Sequence, residues 1–412
     1  MKYKEALAWL YGLQRFGIKL GLENIRRLIA ELDVDPSTSL RTSLRNARVI
    51  HVAGTNGKGS VCAMMDSICR AGKYRTGLFT SPHLITFRER IRVNGEMISE
   101  EEAARGFAEL RDLVHDWDPH PTFFEITTAL ALKHFAHAKI DVVILETGLG
   151  GRLDATNAVQ SGVSVITPIA LDHEEWLGDS MEKIAGEKAG IIKAKTPVVS
   201  APQRAEADNV IRVRATACEA PLQFVDQSYT KSPVALRGEH QKLNAAIALA
   251  AIDAAKIKVS DAAIARGLAT VEWPARFQCW DKRTVIDGAH NPAAAKVLVQ
   301  TWREVFAEAR ATLILAVLSD KDLKAICEAL APIADLILLP KIRSERAADP
   351  AKLQKVVAEL GRESETTASF DEASAKAREK SGPILITGSL HFAGEALAHF
   401  QGRPAAFEEC NQ

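Results

Sequence analysis

With 412 residues the chain is longer than a single hydrophobic core usually fills, so two domains are expected. Its 52 Lys and Arg balance 52 Asp and Glu, which argues against a broad attraction to nucleic acid or an anionic membrane and leaves small molecules as the expected partners. Six cysteines without a C-x-x-C pair, no leader-like N-terminus and no uninterrupted apolar span argue against a zinc ribbon, a disulfide framework and a membrane anchor, and a cytoplasmic monomer is the expectation.

In chain order, residues 4–32 carry Leu7, Leu10 and Tyr11, then Ile25, Leu28, Ile29 and Leu32, at helical spacing. This predicts two short helices broken at Gly17 and Gly21. Residues 33–46 are polar and proline-marked and read as a loop. An apolar strand then carries Val49, Ile50, Val52 and Ala53 into the glycines Gly54, Gly57 and Gly59, and a helix follows to Arg70. That succession predicts a phosphate cradle. Inward N–H groups, the positive end of the helix and the Lys58 charge converge on an oxyanion, and the Ser60 hydroxyl could reach Mg²⁺. A strict Walker loop would have glycine at Val52 and no Gly59 between Lys58 and Ser60. The competing reading is a glycine turn that binds nothing.

Residues 75–80 form a predicted strand ending in SPHL, so Ser81 lies beyond a strand's carboxyl end, where ligands of open parallel sheets sit. The alternative is an ordinary turn serine. Ser99 and Glu102 cap a predicted helix over 99–116, and a second helix over 124–137 follows TFFE. The apolar run Ile140 to Leu145 delivers Glu146 at its tip, a carboxylate suited to Mg²⁺. A strand at 164–168 places Asp172 and His173 at the same edge, with His173 either in the site or merely a hydrogen-bonded surface residue. The helix predicted at 180–192 carries Lys188 near its end; a cation cannot ligate a metal, so its local chemistry suggests an exposed or dipole-pairing lysine.

Two more helices are predicted in 241–271, and Pro274 within WPARFQCW then breaks the pattern. The boundary is set at about 273–283, giving domains 1–275 and 280–412. The second domain alternates strand and helix, beginning with a strand at 284–287 that delivers Asp287 and His290 at its tip. This predicts an α/β protein: a P-loop domain with a central parallel sheet, then a smaller Rossmann-like α/β domain. The two sets of strand tips are expected to face each other across a cleft.

GTNGKGS, TSPHL with RERI, TFFE, LETGLGGRLDATN, ALDH, EKAGIIK, ARFQ, DGAHNP, LSDKDL and ITGSL occur in the order found in folylpolyglutamate synthase and dihydrofolate synthase. Over nearly its whole length the chain resembles this branch of the Mur-type ligases. The resemblance implies ATP-dependent amide ligation: a carboxylate of folate or dihydropteroate is phosphorylated, and the amino group of L-glutamate attacks the acyl phosphate. ATP and Mg²⁺ are the implied cofactors.

By matching motifs, the resemblance assigns Thr55, Asn56, Gly57, Lys58, Gly59 and Ser60, with Asn244, Arg276 and Asp287, to ATP. Ser81, Glu146 and His173 are assigned to the metal, joined by Lys188, a position associated in this family with carbamylation by CO₂. Thr122, Phe123, Phe124 and Glu125, with Leu153, Asp154 and Ala155, are assigned to the pterin-bearing substrate, and Lys58, Lys188 and His290 to catalysis. Phe123 and Phe124 could stack on a pterin or benzoyl ring, or be core aromatics. Between Ser200 and Gln241 the chain is shorter than in many relatives, which often carry extra strands there. A Mur-type ligase for another carboxylate and amine, and a nucleotide-regulated binding protein without chemistry, are the competing functions.

Overall fold

The computed structural model describes residues 1–17, 21–34, 44 and 46–408, so most of the loop predicted at 33–46 falls outside the described residues. Residues 1–81, 88–235 and 242–271 form one compact unit; residues 82–87, 236–241 and 272–412 form the other.

The first unit is built on eight strands: β1 (Arg48–Ala53), β2 (Thr76–Phe79), β3 (Ile91–Val93), β4 (Glu96–Met97), β5 (Val142–Glu146), β6 (Val163–Ile166), β7 (Val198–Ser200) and β8 (Leu222–Phe224). Their order is β4-β3-β2-β5-β1-β6-β7-β8. From β2 to β8 all neighbours run parallel, whereas β3 and β4 are antiparallel additions at the edge, so the sheet is mixed rather than wholly parallel. Every residue of β5 is buried, as a strand covered on both faces requires. Val52 of β1 pairs with Glu146 of β5 and with Val165 of β6, so the loops leaving these three strands open at one sheet edge.

The helix Lys58–Ala71 is buried without interruption from Gly59 to Cys69. A Cβ at Gly267 would stand 2.6 Å from the Ile68 Cα, so the helix Asp261–Thr270 meets it backbone to backbone. Ser67 Oγ donates to the Gly267 carbonyl at 2.8 Å across this contact.

The second unit holds β9 (Gln278–Cys279), β10 (Thr284–Ile286), β11 (Ala311–Leu315), β12 (Ala334–Pro340), β13 (Ser364–Thr367) and β14 (Ile384–Thr387) in the order β13-β12-β11-β14-β10-β9. Only β9 is antiparallel. Alternation along β11 sends Leu313 and Leu315 into one core with Trp302, and Ile314 into the other with Phe392 and Leu397.

Some elements were not expected. The helix Ala205–Ala217 buries Ala207, Ile211 and Ala215, a four-residue spacing carried mainly by alanines and therefore weak as a pattern. It leads to β8, so the stretch between Ser200 and Gln241 completes the main sheet. The turn between β3 and β4 is Asn94-Gly95, both at positive φ (53° and 84°), the chemistry of a tight hairpin. Strand β13 is largely exposed and polar, which hides it from a hydrophobicity search.

Candidate active site

The loop after β1 needs its glycines for two reasons. Gly54 (φ 145°) presses against Thr167, whose Oγ1 would lie 1.9 Å from an added Cβ, and Gly57 (φ 90°) presses against Asn244, whose Oδ1 would lie 2.9 Å away. Asn244 is thereby brought against the loop. The loop is also fastened to the end of β6. The Thr55 and Asn56 N–H groups donate to the Pro168 carbonyl at 3.0 and 3.1 Å, and Thr55 Oγ1 donates to the Ala170 carbonyl at 3.0 Å. Those two N–H groups brace the loop against the end of β6. The first turn of the helix Lys58–Ala71 has no side-chain cap and carries Lys58, Gly59 and Ser60 at its positive end, where an anion would be favoured.

Two lysines meet at the Gly54 carbonyl. Lys58 Nζ donates to it at 3.1 Å and to the Thr55 carbonyl at 3.2 Å, while Lys188 Nζ donates to it at 2.9 Å. Lys188 is buried, contrary to the exposed lysine that its local sequence suggests. Its helix, Met181–Ala189, ends close under the loop from β5: an added Cβ at Gly151 would lie 2.8 Å from the Glu187 carbonyl oxygen. Burial and then the Lys58 charge bring the Lys188 pKa down to about 7, with Asp172 and Asp154 opposing. Asp172, which was not assigned a role, is therefore part of the electrostatics here.

At the tip of β5, Glu146 Oε2 accepts the Ser81 N–H at 3.1 Å, so two of the expected metal donors meet. Cys62 lies buried nearby, its thiol pushed well up first by burial and then by the Glu146 charge. His173 stands at positive φ (54°) after β6, exposed, with Nε2 4.0 Å from Asp172 Oδ1. No cluster of three or more His, Cys, Asp or Glu suited to a metal occurs among the described residues. A hydroxyl and a carboxylate nevertheless fit Mg²⁺, a hard ion that usually keeps several water and phosphate oxygens as ligands.

The residues expected at the pterin divide by what they touch. Thr122 and Glu125 form a buried capping box on the helix Phe123–Ala138: Glu125 Oε2 accepts Thr122 N–H at 2.8 Å and Oγ1–H at 2.9 Å. Phe123 is buried, stacked on Tyr11 at 5.8 Å with the Arg90 guanidinium 5.4 Å from its ring. Asp154 is also buried, and its carboxylate gathers the N–H groups of Gly148, Leu149 and Thr156 and the Thr156 hydroxyl. Burial raises its pKa, with the Thr156 bond opposing. Ala155 is buried beside it. Only Phe124 and Leu153 are partly exposed, and Phe124 lies over Gly148, with Cζ 2.5 Å from where a Cβ would be. Four of these side chains, Thr122, Phe123, Glu125 and Asp154, are thus buried in local structure, the first three at a helix start and Asp154 in a loop, rather than offering an open surface.

In the second unit Asp287 follows β10. Its oxygens accept the Phe277 N–H at 2.7 Å and the Ala289 N–H at 2.8 Å. Burial raises its pKa and the Arg276 charge opposes. Arg276 sits between two non-glycine residues at positive φ, Ala275 (58°) and Phe277 (44°), a strained turn held by these bonds to Asp287 and by Gly288 N–H donating to the Ala275 carbonyl. His290 Nδ1 lies 2.9 Å from the Gly288 carbonyl, which only accepts, so Nδ1 is the donor and the ring is held in orientation. His240, missed in the sequence, belongs to this group: burial and then Arg276 lower its pKa to about 4. The Gly-Glu-His-Gln run just ahead of Asn244 was the available signal.

Residues 52–201 match the Mur ligase middle domain and residues 275–390 the Mur ligase glutamate ligase domain. The chain is 35% identical to the Bacillus subtilis dihydrofolate synthase/folylpolyglutamate synthase, covering 95% of this chain and 97% of that one. It is 34% identical to the Escherichia coli enzyme of the same name, covering 96% and 95%. Among solved structures, Escherichia coli FolC in complex with DHPP and ADP superposes with a TM-score of 0.85 at 32% identity, covering 97% of this chain and 98% of that one. The Yersinia pestis bifunctional enzyme complexed with AMPPNP and Mn ion gives 0.87 at 32% identity, covering 97% and 98%. The chain belongs to the dihydrofolate synthase/folylpolyglutamate synthase family of Mur-type ligases.

Proposed function

We propose that this ATP-dependent glutamate ligase acts on both dihydropteroate and reduced folates. The γ-phosphoryl group of ATP passes to a substrate carboxylate, giving an acyl phosphate and ADP. The glutamate amine then attacks the acyl carbon, an amide forms, and phosphate leaves while the amine loses its proton to solvent or a base. The observation that carries the reading is the convergence of Lys58 and Lys188 on the Gly54 carbonyl at the uncapped start of the helix Lys58–Ala71. Lys58 and the positive end of the helix supply charge where an anion must approach another anion, and Lys188, its pKa lowered to about 7, adjoins them as the amine able to take up CO₂. Ser81 and Glu146 would hold Mg²⁺, which supplies charge neutralisation on the phosphates when bound.

Thr55 to Ser60 and Asn244 are assigned to nucleotide on the same footing, together with Arg276 and Asp287, and Phe124 and Leu153 to the pterin. His290, its ring oriented by the Nδ1 bond to the Gly288 carbonyl, is assigned to catalysis, where an imidazole can accept the proton from the glutamate amine. Residues 1–275 would bind ATP and residues 280–412 would complete the ligase, working in the cytoplasm as a monomer. Among the described residues no helix is long and apolar enough to cross a membrane.

Both activities are proposed because the Bacillus and Escherichia relatives, matched along nearly their full lengths, carry both names. Product mass spectrometry with ATP, L-glutamate and either dihydropteroate or tetrahydrofolate tests this. A single glutamate added to each is expected. Turnover of one substrate alone would narrow the function, and turnover of neither would favour a Mur-type ligase for a different carboxylate.

A further inference from the structure

The segment Pro82–Phe87 leaves the end of β2 directly after Ser81 and is gripped from two sides within the second unit. On one side lies the helix Leu390–Phe400, where a Cβ at Gly394 would stand 1.9 Å from the Leu84 carbonyl oxygen. Only glycine lets the main chain seat there. On the other side lies Glu408. Its Oε2 accepts the Phe87 N–H at 2.6 Å and the Thr86 hydroxyl at 3.1 Å. Its N–H donates to the Ile85 carbonyl at 2.7 Å, and its own carbonyl oxygen is 3.0 Å from His83 Nε2. One residue therefore bonds to four of the six in the segment. The stretch leading to it is anchored as well: Arg343 Nη1 donates to the Pro404 carbonyl at 3.1 Å, and Phe407 meets His391 edge to face at 4.9 Å.

We propose that Glu408 is a positioning residue for the metal-binding end of the ATP site, acting through Pro82–Phe87 on Ser81. The link is short and stiff. Pro82 has a fixed φ and confines Ser81 to extended backbone, so the place where the gripped segment begins sets the direction of the Ser81 N–H and hydroxyl. That N–H is the one Glu146 accepts. Loosening the segment would therefore misalign two oxygen donors at once without touching Lys58 or the glycine loop. The proposal rests on reading Ser81 and Glu146 as the Mg²⁺ donors.

The test is calorimetric binding of ADP to the full chain, with and without Mg²⁺, for wild type, Glu408→Ala, Glu408→Gln and Gly394→Ala, alongside thermal melts. A hydrogen bond to a charged group is worth about a tenfold change in an equilibrium. Glu408→Ala is therefore expected to raise the Mg²⁺ concentration needed for half-maximal enhancement of ADP binding about tenfold, leaving Mg²⁺-free ADP binding unchanged. Glu408→Gln keeps an acceptor for the Phe87 N–H and should restore most of the response. Gly394→Ala, which displaces the segment from its other face, should reproduce the defect. An unchanged Mg²⁺ requirement in both Glu408 variants would overturn the proposal, as would a parallel loss of Mg²⁺-free and Mg²⁺-dependent binding. If wild type itself shows no Mg²⁺ response, the metal reading of Ser81 and Glu146 fails first.

Discussion

Lys58 and Lys188 share one carbonyl acceptor yet stand in different surroundings, and their substitution should separate two roles. Lys58 is half-buried and, among the described residues, bonded to the Gly54 and Thr55 carbonyls, so Lys58→Ala is expected to remove charge at the phosphates and little packing. A fall in kcat of about 10²–10³-fold is expected, with a thermal melt close to wild type. Lys188 is buried with its pKa at about 7, so roughly half the amine is neutral at pH 7 and roughly nine-tenths at pH 8. A neutral amine can attack CO₂; the C–N bond forms, the proton leaves to solvent, and the resulting carbamate is an anion able to face Mg²⁺. Activity of Lys188→Ala should fall most of the way and recover in part with acetate. Carbon-13 NMR of protein equilibrated with labelled bicarbonate should show a carbamate signal that grows as pH rises through 7. Full activity of the alanine variant would remove Lys188 from the mechanism. Nothing local announced this lysine, because its burial depends on the Gly54 carbonyl, 134 positions earlier. Glu146 was legible because its apolar strand is.

At the scale of elements, the helix carrying the loop is held in place by an absence of side chain. Gly267→Ala would put a methyl 2.6 Å from the Ile68 Cα and push the helices Lys58–Ala71 and Asp261–Thr270 apart. Overpacking of this kind costs about 1–3 kcal/mol, which urea unfolding would show as a lower midpoint at constant slope. The same substitution should weaken ADP binding, because the helix start moves with the helix. The sequence showed the helices and buried strands well, since a helical stripe or a continuous apolar run is a local property. It was less clear for Thr122 and Glu125, where one T-x-x-E pattern serves both as a motif of the family and as a cap. Capping is the use the hydrogen bonds display. The Asn94-Gly95 turn was readable and passed over. Strands β9 and β13 were too short or too polar to stand out.

For the whole molecule, a linear reading sees one boundary near 273–283, whereas the second unit also recruits residues 82–87 and 236–241. Sequence patterns cannot reveal this, because the recruited segments are held by contacts far along the chain. A fragment of residues 1–272 lacks Arg276, Asp287 and His290 and also the partners of both recruited segments. It should form no ligation product by mass spectrometry, and residues 82–87 should be cut readily by protease; an active fragment would show that the second unit is dispensable.

The hydrogen bond between His83 and Glu408 spans 325 positions, which gives the fold a timetable as well as a shape. At about 5–20 residues per second, the ribosome needs roughly 15–65 s to deliver the partner of a segment it has already released. For that interval Leu84, Ile85 and Phe87 have left the tunnel with no seat, an apolar patch open to chaperones or to other nascent chains. Chains arrested before residue 390 should be nicked within 82–87, and synthesis of the chain past Glu408 should close that cleavage site.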